Sequence, residues 1–503
     1  MLGYMQQTYI KACREKANQA AIKELLGLVT VSSGIFHVFA FGVIIREMRF
    51  AKFSLLGIFA LGITGWTAFE GTHMWVETVE LVTELDDEIR RWEWDRDVEK
   101  WSGGELGGTD PALGFKGRHA VRSSWMAENW GVGSGASVFG SSAFSGRGPQ
   151  GSGGLNYLDL AVKIAESRVA SGKLRPQTIN ELLARQGAIL ERMGTKDAFF
   201  EARSKYERVW AGLVDKGSDA ARIASKLGDL NFRLGDSKDA LAWWMRAISL
   251  TQGSQQVEGS ATPTISQSAP SSPSAQRTLA STLVSLSAYY STSGQLKLAR
   301  QIQESVLVLL RNIPSPPSIS AASPPHALHS LYLLHRSSLI SIHLAEVLYA
   351  LRSPRQSSID HLTRAAESSE RVALALSGLP PFSPADPPGS NIANTPIQET
   401  TILPVYAGSN AMLKPARGLL RDARRTAAEA WSLMGILNED EKNGGKERAL
   451  ECYERALVWA GAASDGGSGD EGTPGEGILE AEWKLLWANY VRAREEVRAQ
   501  EKS

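Results

Sequence analysis

Apolar positions follow two different patterns along this chain. Near the start they are nearly continuous: Leu25–Ile45 and Phe53–Phe69 contain no Lys, Arg, Asp or Glu. From Leu155 to about Arg498 they instead recur at three- and four-residue spacing, the period of a helix with one buried face. No stretch alternates with the period of a strand, so the pattern predicts an all-α fold. Pro, Ser and Gly interrupt the helical pattern at 252–276, 312–325, 377–415 and 461–477, which read as loops inserted between helices.

The second apolar run approaches the length that crosses a bilayer, for which about 20 residues are needed. Its flanks are asymmetric. Arg46, Arg49 and Lys52 precede it; Glu70, Glu77, Glu80, Glu84, Asp86, Asp87 and Glu88 follow it, and Trp66 and Trp75 stand where an interfacial aromatic belt would lie. The expectation is a transmembrane helix over 53–75, with the C-terminal part on the side away from the basic flank. Residues 1–52 are then a targeting region with a candidate first hydrophobic helix at 25–45, which could pair with the second over the loop Arg46–Lys52. The segment 76–101 (ending in ELDDEIRRWEWDRDVEKW) reads as a juxtamembrane amphipathic helix. The Gly/Ser-rich stretch 102–154 reads as a flexible linker, because such a composition buries too little apolar surface to offset its chain entropy.

The helical segments resemble one another. Ala221–Ile248 carries Leu227-Gly228, Ala240, Trp244 and Ala247; Ala430–Leu457 carries Trp431, Gly435, Ala449, Tyr453 and Ala456; Thr278–Leu307 carries Leu286, Ala299 and Val306. Ile179–Leu213 and Leu339–Ala366 are weaker copies. This spacing resembles the tetratricopeptide repeat, in which small residues let two antiparallel helices approach and an aromatic fills the space beside them. The resemblance implies a tetratricopeptide helical-hairpin solenoid over 155–500, closed by a capping helix at 478–498 that carries Trp483, Leu486, Trp487 and Tyr490. In such an array the first helix of each repeat lines a groove for peptides. The corresponding positions are Arg222, Ser225, Asp229 and Phe232; Ser281, Val284, Ala288 and Ser291; and Glu429, Ser432, Ile436 and Glu439. The Lys/Asn/Arg set with which chaperone-binding members clamp a terminal carboxylate is missing here.

Charge adds little: 54 basic residues balance 54 acidic ones, so no overall field favours nucleic acid. Cys13 and Cys452 have no metal-binding or disulfide spacing. Four of the eight histidines fall between His326 and His343, but helical geometry spreads them and no acidic residue accompanies them before Glu346, so ordinary helix histidines are expected. Hydrolase, phosphate-loop, kinase and zinc-protease motifs are all missing. The reading is a non-enzymatic protein without cofactor, metal or small-molecule substrate.

Taken in order, Phe53–Phe69 with Gly65–Gly71, the copy around Trp244, Glu447–Leu457 and Glu482–Tyr490 resemble the fungal tetratricopeptide substrate-adaptor subunit of the mitochondrial inner-membrane i-AAA protease. That resemblance implies a membrane-anchored adaptor of the inner membrane with its repeats in the intermembrane space. Its partners would be the AAA protease complex and unfolded membrane-protein substrates, which it would recruit by proximity. The alternative is a scaffold or assembly factor for a respiratory-chain complex in the same membrane.

Overall fold

The structure, a computed structural model, describes residues 39–97, 100–104, 107–131, 152–253, 265–379, 402–439, 444–461 and 480–501. Among these residues the chain is all-α; the sole β feature is an isolated bridge between Val82 and Gly107. It divides into two units, 1–72 and 73–503. Residues 1–38, which hold most of the candidate first hydrophobic run and of the targeting region, lie outside the described residues.

In the first unit the chain is helical from Phe39 onward, in a helix (α1) assigned as Phe39–Trp75. Two expectations are corrected here. Residues 46–52 are helical, so they make no loop over which two spans could pair. Further, among the described residues no helix is long and apolar enough to cross a membrane, which overturns the transmembrane assignment. The physical reason is composition: Ser54, Gly57, Gly62, Thr64, Gly65 and Thr67 dilute the run between Lys52 and Glu70. Thr64 and Thr67 turn their hydroxyls back onto carbonyls of their own helix, at Ala60 and Ile63.

The second unit is built from antiparallel helical hairpins stacked side by side. After two short helices, α2 (Asp87–Arg91) and α3 (Trp94–Asp97), the hairpins are α4 (Gly114–Trp130) with α5 (Ser152–Ala170), α6 (Pro176–Met193) with α7 (Lys196–Gly212), and α8 (Ser218–Leu234) with α9 (Ser237–Gln252). The series continues with α10 (Pro273–Thr292) and α11 (Leu296–Asn312), then α12 (Pro324–Ala350) and α13 (Arg355–Ser377). A short α14 (Pro404–Ala407) leads to α15 (Asn410–Glu439) paired with α16 (Gly445–Ala460), and α17 (Glu480–Glu501) packs on α16.

Three hairpins share one packing device. Built onto Gly228, a Cβ would lie 2.4 Å from the Trp244 ring; on Gly435 it would lie 2.6 Å from Tyr453, and on Gly187 2.8 Å from Tyr206. Each glycine in the first helix therefore admits an aromatic ring of the second, and all three rings are almost fully buried. Leu227, Ala240, Ala247, Ala299, Ala449 and Ala456 are likewise fully buried at these interfaces, while Trp431 is half-buried. Helix starts and stops follow local chemistry. Pro176, Pro273 and Pro324 stand in first turns, and Gly194, Gly235 and Gly378 follow last turns in the left-handed conformation.

The expected flexible linker is corrected in part. Pro111–Trp130 forms a short 3-10 turn and the helix α4, which buries Leu113, Ala120, Val121 and Trp125 against α5. Glycine and serine averaged over the whole stretch hid this apolar face. Of the Gly/Ser-rich remainder, 132–151 lies outside the described residues.

Candidate functional site

The acidic, tryptophan-rich segment that follows α1 does not stand apart from the hairpins. It runs as a strap across the N-terminal ends of their first helices, in reverse order of the repeats. Its carboxylates are spaced so that several of them meet helix ends in turn. Glu84 accepts a hydrogen bond from Ser409, just before α15, and Glu80 from Asn410 at 3.4 Å. Glu88 accepts from Ser323, the N-cap residue of α12, at 3.1 Å. Glu93 accepts from Ser272, the N-cap of α10, and from the Ser274 amide at 3.0 Å. Free N–H groups and the helix dipole make these ends favourable places for negative charge.

Local backbone chemistry fixes the strap. Asp86 caps α2 through the Glu88 amide at 2.8 Å. Glu93 then adopts a left-handed φ of 53°, unusual for a residue with a side chain. This kink separates the two tryptophans and directs them differently. Trp92 stacks on His326, with ring centroids 4.1 Å apart. Trp94 is 1% exposed and donates its indole N–H to the Pro325 carbonyl at 2.9 Å.

Arg277 in α10 clamps the kink. It is 3% exposed, lies 3.9 Å over the Trp94 ring, and donates to the carbonyls of Trp92 at 3.1 Å and Glu93 at 2.9 Å. Farther along, Arg222 of α8 donates to the Arg96 carbonyl at 2.8 Å, and the Gly104 amide donates to Glu181 of α6 at 3.3 Å. Asp110 closes the series by accepting from Thr178 in the first turn of α6 at 2.7 Å. At the other end Glu77 accepts from Thr109, Arg118 and Arg122. Burial alone would raise its carboxyl, but the hydrogen bonds from Thr109 and the Arg122 charge hold it below the usual carboxylate value.

The expected groove residues differ in exposure and in the partners they meet. Arg222 holds the strap, as above. Ser225 is buried and accepts from Thr282 of α10. Asp229 accepts from the Trp244 indole at 3.0 Å, inside its own hairpin. Phe232 packs on Trp244 and Tyr289. Ser281 bonds the Tyr332 hydroxyl; Val284 packs against the core of the middle hairpins. Ala288 and Ser432 are partly exposed, and Ile436 is 43% exposed. Sequence reasoning missed Arg277, Glu93 and the capping serines. The signal was present: serines at 272, 323 and 409 stand at helix starts, and strap carboxylates recur at 80, 84, 88 and 93.

The histidines of α12 are packed and neutral. His329 accepts at Nδ1 from Arg277, at 3.1 Å, and meets the Gln276 side-chain oxygen Oε1 through Nε2 at 2.9 Å. His335 meets the Thr426 hydroxyl at 3.0 Å. Burial pushes His329 and His335 down to about 3 and His343 to about 4, from an ordinary 6.5. Because the folded values lie below the unfolded one, their contribution is intact above pH 6.5 and is lost as pH falls toward the folded values. Each should cost on the order of 1 kcal/mol per pH unit in that window. Urea midpoints should therefore drop between pH 7 and pH 5, and His335→Gln should recover part of the drop. A midpoint that does not move would contradict this burial. Among the described residues no group of three or more His, Cys, Asp or Glu is placed to hold a metal ion.

Comparison with known proteins gives no relative: no family model and no curated protein matches this chain. Together with the helix result, this corrects the functional expectation. The membrane-anchored adaptor that recruits unfolded membrane-protein substrates to the i-AAA protease has lost its anchor among the described residues and has no relative behind it. The same holds for the respiratory-complex scaffold and for placement in the mitochondrial inner membrane with the repeats in the intermembrane space.

Proposed function

We propose that this protein is a binding scaffold whose first-helix ends hold an extended, acidic, tryptophan-bearing polypeptide segment, and that its own strap occupies that surface. The observation that carries the reading is the seating of Glu88–Trp94 on α10 and α12: a backbone clamp from Arg277, carboxylates on helix ends, and indoles in fitted positions. Recognition of that form uses main-chain and charge contacts that a segment of similar chemistry from another protein can satisfy. A partner must displace the strap, so the free-surface affinity is reduced by the small fraction of molecules with the strap released.

The test uses the full chain. In a Trp92→Ala/Glu93→Ala variant, the strap loses the His326 stack and the Ser272 contact while Trp94 stays in place. A fluorescent peptide spanning residues 80–101 should bind this variant at least ten times more tightly than the parent protein by anisotropy. Equal affinity for the two proteins, or none for the variant with its helicity intact, would reduce the strap to a fixed wall of the fold.

A further inference from the structure

Apart from that surface, the second unit holds a cleft of about 580 Å³ that none of the contacts above explains. It opens between the strap, the last turn of α4 and the first turns of α15, and its size falls in the range of small-molecule sites. Five cationic side chains line it, Arg90, Arg96 and Lys100 from the strap and Lys414 and Arg417 from α15, against three carboxylates, Glu80, Glu84 and Asp95.

The pairing is uneven. Arg96 bridges to Glu93 at 3.2 Å, whereas among the described residues Arg90, Lys100, Lys414 and Arg417 have no carboxylate within ion-pair distance. Two of the three lining carboxylates are already engaged, Glu84 by Ser409 and Glu80 by Asn410. Those residues begin α15, a helix of 30 residues whose N-terminal end adds further positive potential. Lys414 lies in this concavity; burial of its ammonium, with the Arg185 guanidinium, lowers it below the ordinary lysine value, while the Glu128 and Glu80 carboxylates act against that shift. Five cations against three carboxylates leave the lining with an excess of positive charge, which a multivalent anion would neutralise.

The third carboxylate refines the ligand. Asp95 Oδ1 is buried and receives no hydrogen bond. A buried acceptor without a donor is costly, so the occupant should bring hydroxyl groups as well as negative charge. Trp101 and Trp125 supply an apolar wall on which the ring of a polyol can rest.

We infer that this cleft binds a small, multiply phosphorylated polyol. Its phosphates pair with Arg90, Lys100, Lys414 and Arg417, and a hydroxyl donates to Asp95. Such a ligand would join the strap to α15 and so tie the first hairpin region to the last.

Titration calorimetry on the full chain is the test, with inositol trisphosphate and inorganic tripolyphosphate as probes and sulfate at matched ionic strength as the control. The trisphosphate should bind with one-to-one stoichiometry and sulfate should not. Lys414→Ala/Arg417→Ala should weaken both phosphate probes at least ten-fold. Asp95→Ala should weaken the trisphosphate alone, because only that probe carries hydroxyls. Arg300→Ala, on α11 and paired with Glu304, should change nothing. Vesicles displaying the same headgroup distinguish the ligand's source: uptake by the soluble probe alone identifies a free metabolite, and uptake by both identifies a lipid headgroup. No binding of either phosphate probe, or equal weakening by Arg300→Ala, would overturn the assignment.

Discussion

Trp94→Ala should destabilise the second unit by roughly 3–5 kcal/mol, the range for removing a large buried aromatic side chain. The ring is 1% exposed, belongs to the same apolar core as Leu328, Leu331 and Met412, and carries both the Arg277 stack and the Pro325 hydrogen bond. Its loss leaves a cavity, a carbonyl without its donor and a buried guanidinium without its aromatic face. Trp94→Phe keeps part of the volume and the stack but removes the indole N–H, and should cost distinctly less. Urea or guanidinium denaturation followed by far-UV circular dichroism measures both. A Trp94→Ala loss below about 1 kcal/mol would mean that the strap adheres to the hairpins without being part of their core.

Glu370→Ala should be of similar severity, again about 3–5 kcal/mol, for a different physical reason. Glu370 is 2% exposed and is the common acceptor where α13, α15 and α16 meet. The indoles of Trp431 and Trp459 each donate to its Oε1 at 2.7 Å, and Arg455 grips both oxygens, with Nε on Oε1 at 2.7 Å and Nη2 on Oε2 at 2.5 Å. Arg455 also stacks 4.1 Å over the Trp431 ring. Removing the carboxylate takes away the acceptor that one guanidinium and two indole N–H groups share, whereas replacing the whole group by apolar residues would avoid that penalty. Accordingly Glu370→Gln, which keeps one acceptor oxygen, should lie between the parent and Glu370→Ala. If Glu370→Ala unfolds at the parent's denaturant midpoint, the cluster contributes nothing net.

Much of the hairpin array was legible in the sequence because packing between helices leaves a periodic trace. Gly228 with Trp244 and Gly435 with Tyr453 stand at the spacing that two antiparallel helices require, and both pairs meet in the structure. Helix α4 was not legible, because its apolar positions are few and lie within a glycine-rich surround. The strap was hidden for another reason. A run of carboxylates after an apolar helix looks the same in sequence whether it faces water or caps distant helices. What decides between them is the position of Ser272, Ser323 and Ser409 in space, and no local pattern encodes that. Ser225 and Asp229 occupy the expected register, and neighbouring helices approach closely enough to engage both side chains.

The strap also changes how such a chain must be made. Hairpins stacked in series can form one after another as each leaves the ribosome, since each needs only its neighbour. Here the Glu84–Ser409 contact joins residues 325 positions apart, and Glu93–Ser272 joins residues 179 apart. The strap is therefore synthesised early and receives its last seat only when α15 emerges. Until then its tryptophans and carboxylates lack some of their final partners. Long closures of this kind slow folding and keep the partly made chain dependent on protection during synthesis. Once closed, they make distant hairpins unfold together instead of fraying singly from an end.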